Sequence, residues 1–367
     1  MLTLRAMQGA AGYASKHLEY SDYLDENNKT KGVWMGKAAE RLGLAGEVTA
    51  EQFERLRECE HPETGEFLRQ RKGADRVAAD GSKQSEVVNL FDLTFSAPKS
   101  VSVLGVLEDP RLLEAHRKVV AETLLEVEQL AAVEDKRDGK KLVRETGNLA
   151  IATYQHDCSR QLDPQCHTHA VVFNLSHDAE TDKWKALYSP TLYEHRGYLT
   201  EVYRNALARE CKALGYEIEN RWDDKGSDQS FEIKGVSPEL CDKFSKRSQE
   251  RDTAIAEFIR ERGREPSDNE IAVLVRQTRD DKLRDISTAE VRAKQRSQLT
   301  PEEARSLKAT KEAAIPGRAR SKERISAVEA LEFAKEHTFE RLSVCKDHEL
   351  LELALQQGRG HVGLEEL

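Results

Sequence analysis

The sequence predicts an α+β fold. An antiparallel central sheet with flanking helices spans residues 1–236, a mostly helical extension follows over 237–320, and a short tail covers 321–367. Three observations predict it. Two strand-like apolar runs, 148–154 and 170–173, flank an Asp163-Pro164 turn signal, which suits antiparallel pairing. Around them, segments of strand period and helix period interleave irregularly. From Ser237 onward the pattern is almost entirely helical, charged and weak in apolar stripes.

The first forty residues combine small residues with Tyr13, Tyr20, Tyr23 and Trp34. Phe91-Asp92-Leu93-Thr94-Phe95 alternates as a strand, with Asp92 and Thr94 opposite the apolar set. Ser96-Ala97-Pro98-Lys99-Ser100 reads as a strand-to-helix junction with Ser96 or Ser100 as cap. Leu112, His116, Val119, Val120, Leu124 and Val127 recur at helical spacing, so a helix is expected over about 110–134, with His116 packed in the core. Residues 183–187 are expected to form a third strand after the two apolar runs, and 190–214 a long helix stopped by Gly215. A hairpin is expected from 216–218 and 230–233 around Asp224-Lys225-Gly226. Ser237-Pro238-Glu239, Ser267-Asp268-Asn269-Glu270 and Thr300-Pro301-Glu302-Glu303 are helix starts. Residues 315–321 read as a linker, and 327–367 as a small helical piece.

The 367 residues suit two domains, or one large domain with an extension. No segment approaches the roughly 20 apolar residues of a membrane span, and the first residues lack a secretory hydrophobic core, so no membrane insertion is expected. Six scattered cysteines fit a reduced, cytoplasmic protein. The net charge of −9 opposes non-specific nucleic-acid binding, yet residues 241–324 carry 21 Lys and Arg against 16 Asp and Glu. An acidic body with a basic extension can hold DNA along a local groove.

The segment from His156 to His169 carries the chemistry. His167 and His169 share one strand face, and the turn can return His156 beside them. Three converging imidazoles make a divalent-metal site with open positions for substrate. A competing reading recruits Cys158 and Cys166 into a structural zinc site. For a phosphodiester substrate, tyrosine is the natural nucleophile, because a phenolate can hold the product as a covalent ester. A tyrosine pKa near 10 then calls for a base or a nearby cation. A metal would polarise a phosphoryl oxygen. Asp92 stands as the base or as the group that orients a metal histidine.

At these residues the chain closely resembles the relaxase domain of the MobF-type conjugative relaxases, the TrwC/TraI class of the HUH endonucleases. The likeness rests on the block from Gly32 to Leu44 (GVWMGKAAERLGL) and the block from Asp92 to Ser102 (DLTFSAPKSVS). It rests also on Thr146-Gly147-Asn148-Leu149 and on the histidine run itself. The resemblance implies an HUH, palm-like sheet with His156, His167 and His169 as metal ligands. It places the acid that assists the nucleophile on Asp92, and Lys99 and Arg160 at positions facing DNA or the metal site. Family members carry two tyrosine groups near the N-terminus, often adjacent pairs; here Tyr13 is followed by alanine and Tyr23 by leucine. Tyr23 is favoured as nucleophile, with Tyr13 next and Tyr20 as an additional candidate.

The implied reaction is metal-dependent transesterification on single-stranded DNA at a transfer origin, a hairpin plus nick site. It leaves a 5′-phosphotyrosine and a free 3′-hydroxyl, and it initiates conjugative transfer. The extension would clamp the bound strand. Magnesium or manganese is the expected cation, with zinc or nickel also compatible. Relaxosome accessory proteins and a coupling protein are the implied partners of a monomer. Relatives usually continue into a helicase; no Walker A sequence occurs here, so no ATPase activity is expected, and the tail reads as the opening of such a region. The alternatives are a rolling-circle replication initiator with the same site, a noncatalytic single-stranded DNA-binding protein whose metal braces the fold, and a phosphoesterase that uses water.

Overall fold

The computed structural model describes residues 1–8, 31–69, 75–77, 83–85, 87–137, 139–223, 226–277, 287–316 and 324–367. Tyr13, Tyr20 and Tyr23 lie outside the described residues, as does most of the 315–321 linker.

In chain order, β1 (Leu2–Gln8) and β2 (Val33–Met35) precede the helices α1 (Lys37–Arg41) and α2 (Ala50–Arg57). The antiparallel pair β3 (Asp75–Val77) and β4 (Lys83–Ser85) leads to β5 (Val88–Ser96), α3 (Lys99–Leu107) and α4 (Arg111–Gln129). Next come β6 (Ala132–Arg137), β7 (Lys140–Glu145), β8 (Ile151–Cys158), β9 (Pro164–Phe173), β10 (Ser176–Asp178) and β11 (Lys183–Lys185). Helices α5 (Pro190–Glu194) and α6 (Arg196–Ala213) and strands β12 (Ile218–Trp222) and β13 (Asp228–Ile233) complete the α+β part. The extension holds α7 (Pro238–Lys243), α8 (Lys246–Arg262), α9 (Asp268–Gln277), α10 (Thr288–Ser297) and α11 (Pro301–Ala313); the tail holds α12 (Ala327–Phe339) and α13 (Asp347–Gln357).

The central sheet has five antiparallel strands in the order β1-β5-β9-β8-β2. Strand alternation divides its side chains between two faces. Phe91, Leu93, Phe95, Ala170 and Val172 enter the main core with residues of α3, α4 and α6. The other face is split lengthwise. Leu90, Val171, Phe173, Ala152 and Tyr154 pack under Ala38, Ala39, Leu42, Phe53 and Leu56 of the α1–α2 region. Beyond the reach of those helices, the same face turns polar with Asp92, Thr94, His156, His167 and His169.

The Gly32–Leu44 block closes the apolar half. Trp34 lies 5.5 Å from the Phe173 ring and donates to Gln52 Oε1 at 3.3 Å. Gly36 has φ +95°, and a Cβ there would sit 2.2 Å from the Leu149 carbonyl oxygen. That carbonyl accepts from the Ala38 N–H at 3.0 Å, while buried Glu128 accepts from the N–H groups of Lys37 and Leu149. Only glycine meets both the left-handed backbone and the close approach.

Three local expectations need correction. The first long helix ends at Gln129, and residues 132–145 form the β6–β7 hairpin instead of its continuation. Gly139 (φ +74°) sits at that turn, a hairpin signal outweighed by the apolar run before it. Residues 183–185 pair with β10 in a separate ribbon, so they are not a third strand of the histidine sheet. The helix over 190–214 is two helices meeting at His195. The hairpin at 218–233 forms as expected, and Ser237 and Thr300 cap their helices; Ser287, not anticipated, makes a full capping box with Glu290.

The tail docks on α6. Arg359, fully buried, donates to Asp228 at 2.7 and 2.8 Å and pairs with Glu201, while Asn205 bonds both Gly360 N and Val362 O. Leu355 joins the main core.

His116 lies in the core as expected, and it also joins two layers. Its Nδ1 is 2.8 Å from the Tyr203 hydroxyl of α6, and its Nε2 is 2.8 Å from Thr168 Oγ1 on the underside of β9. Burial, then the neighbouring His167, pushes the imidazolium down to about 3.

Two predictions follow from this packing. Gly36→Ala will destabilise the fold by about 2–4 kcal/mol, read by urea unfolding, because it adds both strain and a clash. The unfolded chain protonates His116 near pH 6.5. The stability gained by holding it neutral is therefore complete above about pH 6.5 and lost as the pH falls toward 3. Unfolding free energies across that window should fall less steeply in His116→Asn than in the parent; parallel slopes would refute this.

Candidate metal centre

Register explains why the three histidines meet. His156 of β8 pairs directly with His167 of β9, and Tyr154 pairs with His169, so all three imidazoles emerge from one face. β5 supplies the adjacent edge, with Thr94 opposite His169 and Ser96 opposite His167. The ring centroids are 5.2 Å (His156–His167), 5.6 Å (His156–His169) and 5.3 Å (His167–His169) apart. Imidazole nitrogens about 2.1 Å from one tetrahedral cation would put the centroids roughly 5 Å apart, so the rings are gathered at coordinating spacing. Among the described residues, no set of three His, Cys, Asp or Glu side chains has its donor atoms already drawn into a formed coordination sphere.

Two of the rings have their tautomers fixed. Both carboxylate oxygens of Asp92 lie 3.0 Å from His169 Nδ1, which donates to them. The Thr94 hydroxyl donates to Asp92 Oδ1 at 3.3 Å. His167 Nδ1 donates to the Gln165 carbonyl at 3.0 Å. In each ring the Nε2 lone pair is left as the donor for a cation, and the outer hydrogen bond raises its basicity. His167 is held down to about 4, first by burial and then by His169, so it is neutral at physiological pH, as a ligand must be. Asp92 is only 5% exposed and is aimed at the ring, which is the geometry of an orienting carboxylate.

The cysteines do not join this set. Cys166 lies on the opposite face in the main core, with its N–H bonded to Ser102 Oγ, and burial pushes its thiol well up. Cys158 packs with Leu162 and Val291. The donor set is imidazole, not thiolate.

The two basic candidates part ways. Lys99, at the start of α3, donates to the Pro164 carbonyl (3.2 Å) and to Gln165 Oε1 (2.7 Å). Burial pushes its ammonium down to about 8, with Asp163 opposing. It braces the strand that bears His167 and His169. Arg160, half-buried on the β8–β9 turn, makes no hydrogen bond or ion pair among the described residues. Arg5 was missed by sequence reasoning. It pairs across from Asp92, so it shares the histidine face, and it is exposed with no ion pair among the described residues. Its signal was the alternation of Leu2 and Leu4 with Thr3 and Arg5, readable once β1 is known to lie beside β5.

With this geometry in place, comparison with known proteins is informative. The chain matches the TrwC relaxase family over residues 7–301. It is 37% identical over 235 residues to the multifunctional conjugation protein TraI of Escherichia coli (strain K12), which covers 61% of this chain and 12% of that protein. A second Escherichia coli TraI is 36% identical over 235 residues, with the same coverage. The chain thus spans about an eighth of the length of these relatives. Among solved structures, the copper-bound conjugative relaxase TrwC in complex with oriT DNA superposes with TM-score 0.66 at 31% identity, covering 84% of this chain and 98% of that one. TrwC complexed with a 27-mer DNA comprising the recognition hairpin and the cleavage site gives TM-score 0.65 at 31% identity, with the same coverage. The antiparallel sheet and its helices are those of these neighbours, and on the extent of the family match the chain belongs to the TrwC relaxase family.

Proposed function

We propose that this chain nicks and rejoins one DNA strand at a transfer origin by tyrosine transesterification, and so initiates conjugative transfer. The observation that carries the reading is the imidazole trio, with Asp92 bonded to His169 Nδ1, on the polar half of one sheet face. The structurally similar TrwC relaxases, solved with oriT DNA and with copper or metal bound, support the same reading.

Residues 9–30, with Tyr13, Tyr20 and Tyr23, are bracketed by strands on opposite edges of the sheet, and Val33 pairs with Thr153, three residues before His156. We favour Tyr23 as the nucleophile. Its phenolic oxygen attacks the phosphorus, the P–O3′ bond breaks, and a 5′-phosphotyrosine and a 3′-hydroxyl result. The phenol proton leaves as the 3′ oxygen takes one up, so the reverse step reseals the strand without ATP. His156, His167 and His169 would hold a divalent cation, which when bound polarises the phosphoryl oxygen and offsets developing charge. Asp92 keeps His169 in the tautomer that presents Nε2, and Thr94 holds Asp92. Neutral imidazoles suit manganese, nickel and zinc; magnesium needs oxygen donors from the substrate phosphate. Arg160 and Arg5 are free to meet phosphates. Lys99 acts behind the ligands, not on DNA.

The basic extension would embrace the strand, and the reaction would run in the cytoplasm with relaxosome proteins and a coupling protein. Among the described residues, no helix is long and apolar enough to cross a membrane.

A labelled single-stranded oligonucleotide spanning the transfer origin, mixed with protein and manganese and then denatured, should give a covalent adduct. Mass spectrometry of the linked peptide should identify Tyr23, and Tyr23→Phe should remove that adduct. Cleavage without any adduct would refute the tyrosine mechanism. Asp92→Asn should weaken cation binding about 10- to 100-fold, as loss of an orienting carboxylate does elsewhere; titration with manganese measures it.

A further inference from the structure

The ladder between β8 and β9 is irregular just past the metal histidines. His156 pairs with His167, but the next pair is Cys158 with Pro164, so Asp157 of β8 faces two residues of β9, Gln165 and Cys166. The bulge is on β9, and Asp157 opposite it has no single partner in the ladder, so regular pairing does not fix β8 there. The extension supplies what the ladder omits. Arg292 of α10 forms an ion pair with the Asp157 carboxylate, next to His156 in sequence. Arg292 also donates to Gln295 Oε1 at 2.9 Å, and Gln295, fully buried, donates to the Leu162 carbonyl at 2.7 Å. Leu162 holds a left-handed backbone (φ +66°), and its side chain packs with Val291 and Cys158. On the far side of the turn, Lys246 of α8 donates to buried Asp163 at 2.6 Å, and Gln161 donates to Glu250 at 2.7 Å. Asp157 opposite the bulge, the left-handed turn residue Leu162 and Asp163 at the return to β9 are each held by a side chain of the extension.

We propose that the extension is a positioning element of the metal centre, with Arg292 as its principal positioning residue. Arg292 and Gln295 fix β8 at Asp157, opposite the bulge of β9, and the turn at Leu162, and this sets His156 against His167 and His169. A family role of clamping DNA neither requires nor explains these contacts, which are made to the tip of the β8–β9 hairpin. The proposal rests on the metal reading above.

The test is manganese and zinc affinity of the full chain by titration calorimetry, with thermal unfolding in EDTA as a control for folding. Arg292→Gln and Asp157→Asn should each weaken binding about tenfold or more while the EDTA melting temperature stays close to the parent's. Arg292→Lys should retain part of the affinity, and the exchanged pair Asp157→Arg with Arg292→Asp should recover part of it. Parent-like affinity in Arg292→Gln overturns the proposal. So does a loss that tracks a lower EDTA melting temperature and is not recovered in Arg292→Lys or the exchanged pair. Absence of binding in the parent itself overturns the metal reading, and the positioning role with it; the two failures are therefore distinguishable.

Discussion

One face of β5, β8 and β9 has to serve two purposes, and the two-residue period of a strand makes both depend on a single register. Leu90, Ala152, Tyr154, Val171 and Phe173 must be dry, while Asp92, Thr94, His156, His167 and His169 must reach a polar opening. A slip of one residue in any of these strands would send the histidines into the core and bring Phe95 or Val172 to the opening. The helices over the apolar half hold that register, because Trp34, Phe53 and Phe173 interlock only in this alignment. The Gly32–Leu44 block therefore acts on the chemistry without touching it: it seals one half of a face so that the other half can remain open.

Electrostatics reinforces the arrangement. The imidazoles are useful to a cation only when neutral, and burial supplies that condition for His167. The outer hydrogen bonds then choose which nitrogen is offered: a carboxylate behind His169, a backbone carbonyl behind His167. Lys99 belongs to the same scaffold, since it holds the residue whose carbonyl orients His167.

Much of this was legible in the sequence. The alternation around Asp92 and the spacing of His167 and His169 each follow from a short-range rule and appear in the structure as read; the reversal signalled by Asp163-Pro164 also forms, but its turn lies just before them, at 159–162, and Pro164 opens β9. Less legible were features that depend on distant partners. The β6–β7 hairpin was hidden because Ala131, Ala132 and Val133 extend the apolar pattern of α4, and only the turn at Gly139 argues otherwise. The bracing contacts of Lys99 were not legible, because its partner Gln165 lies 66 positions away. Arg5 went unnoticed because no local pattern tells which strand will lie beside β1. Arg292 could not be found at all, since its partner is 135 residues earlier and the bulge that needs it leaves no sequence mark.

Helix α6 ties together parts of the molecule that are far apart in the chain. Tyr203 bonds His116, His116 bonds Thr168, and Thr168 sits between His167 and His169; on the opposite flank, Glu201 and Asn205 fasten residues 359–362. One helix thus fastens the tail on one flank and, through Tyr203 and His116, the residue between His167 and His169 on the other, so the seating of residues 359–362 and the underside of the histidine strand share a single support.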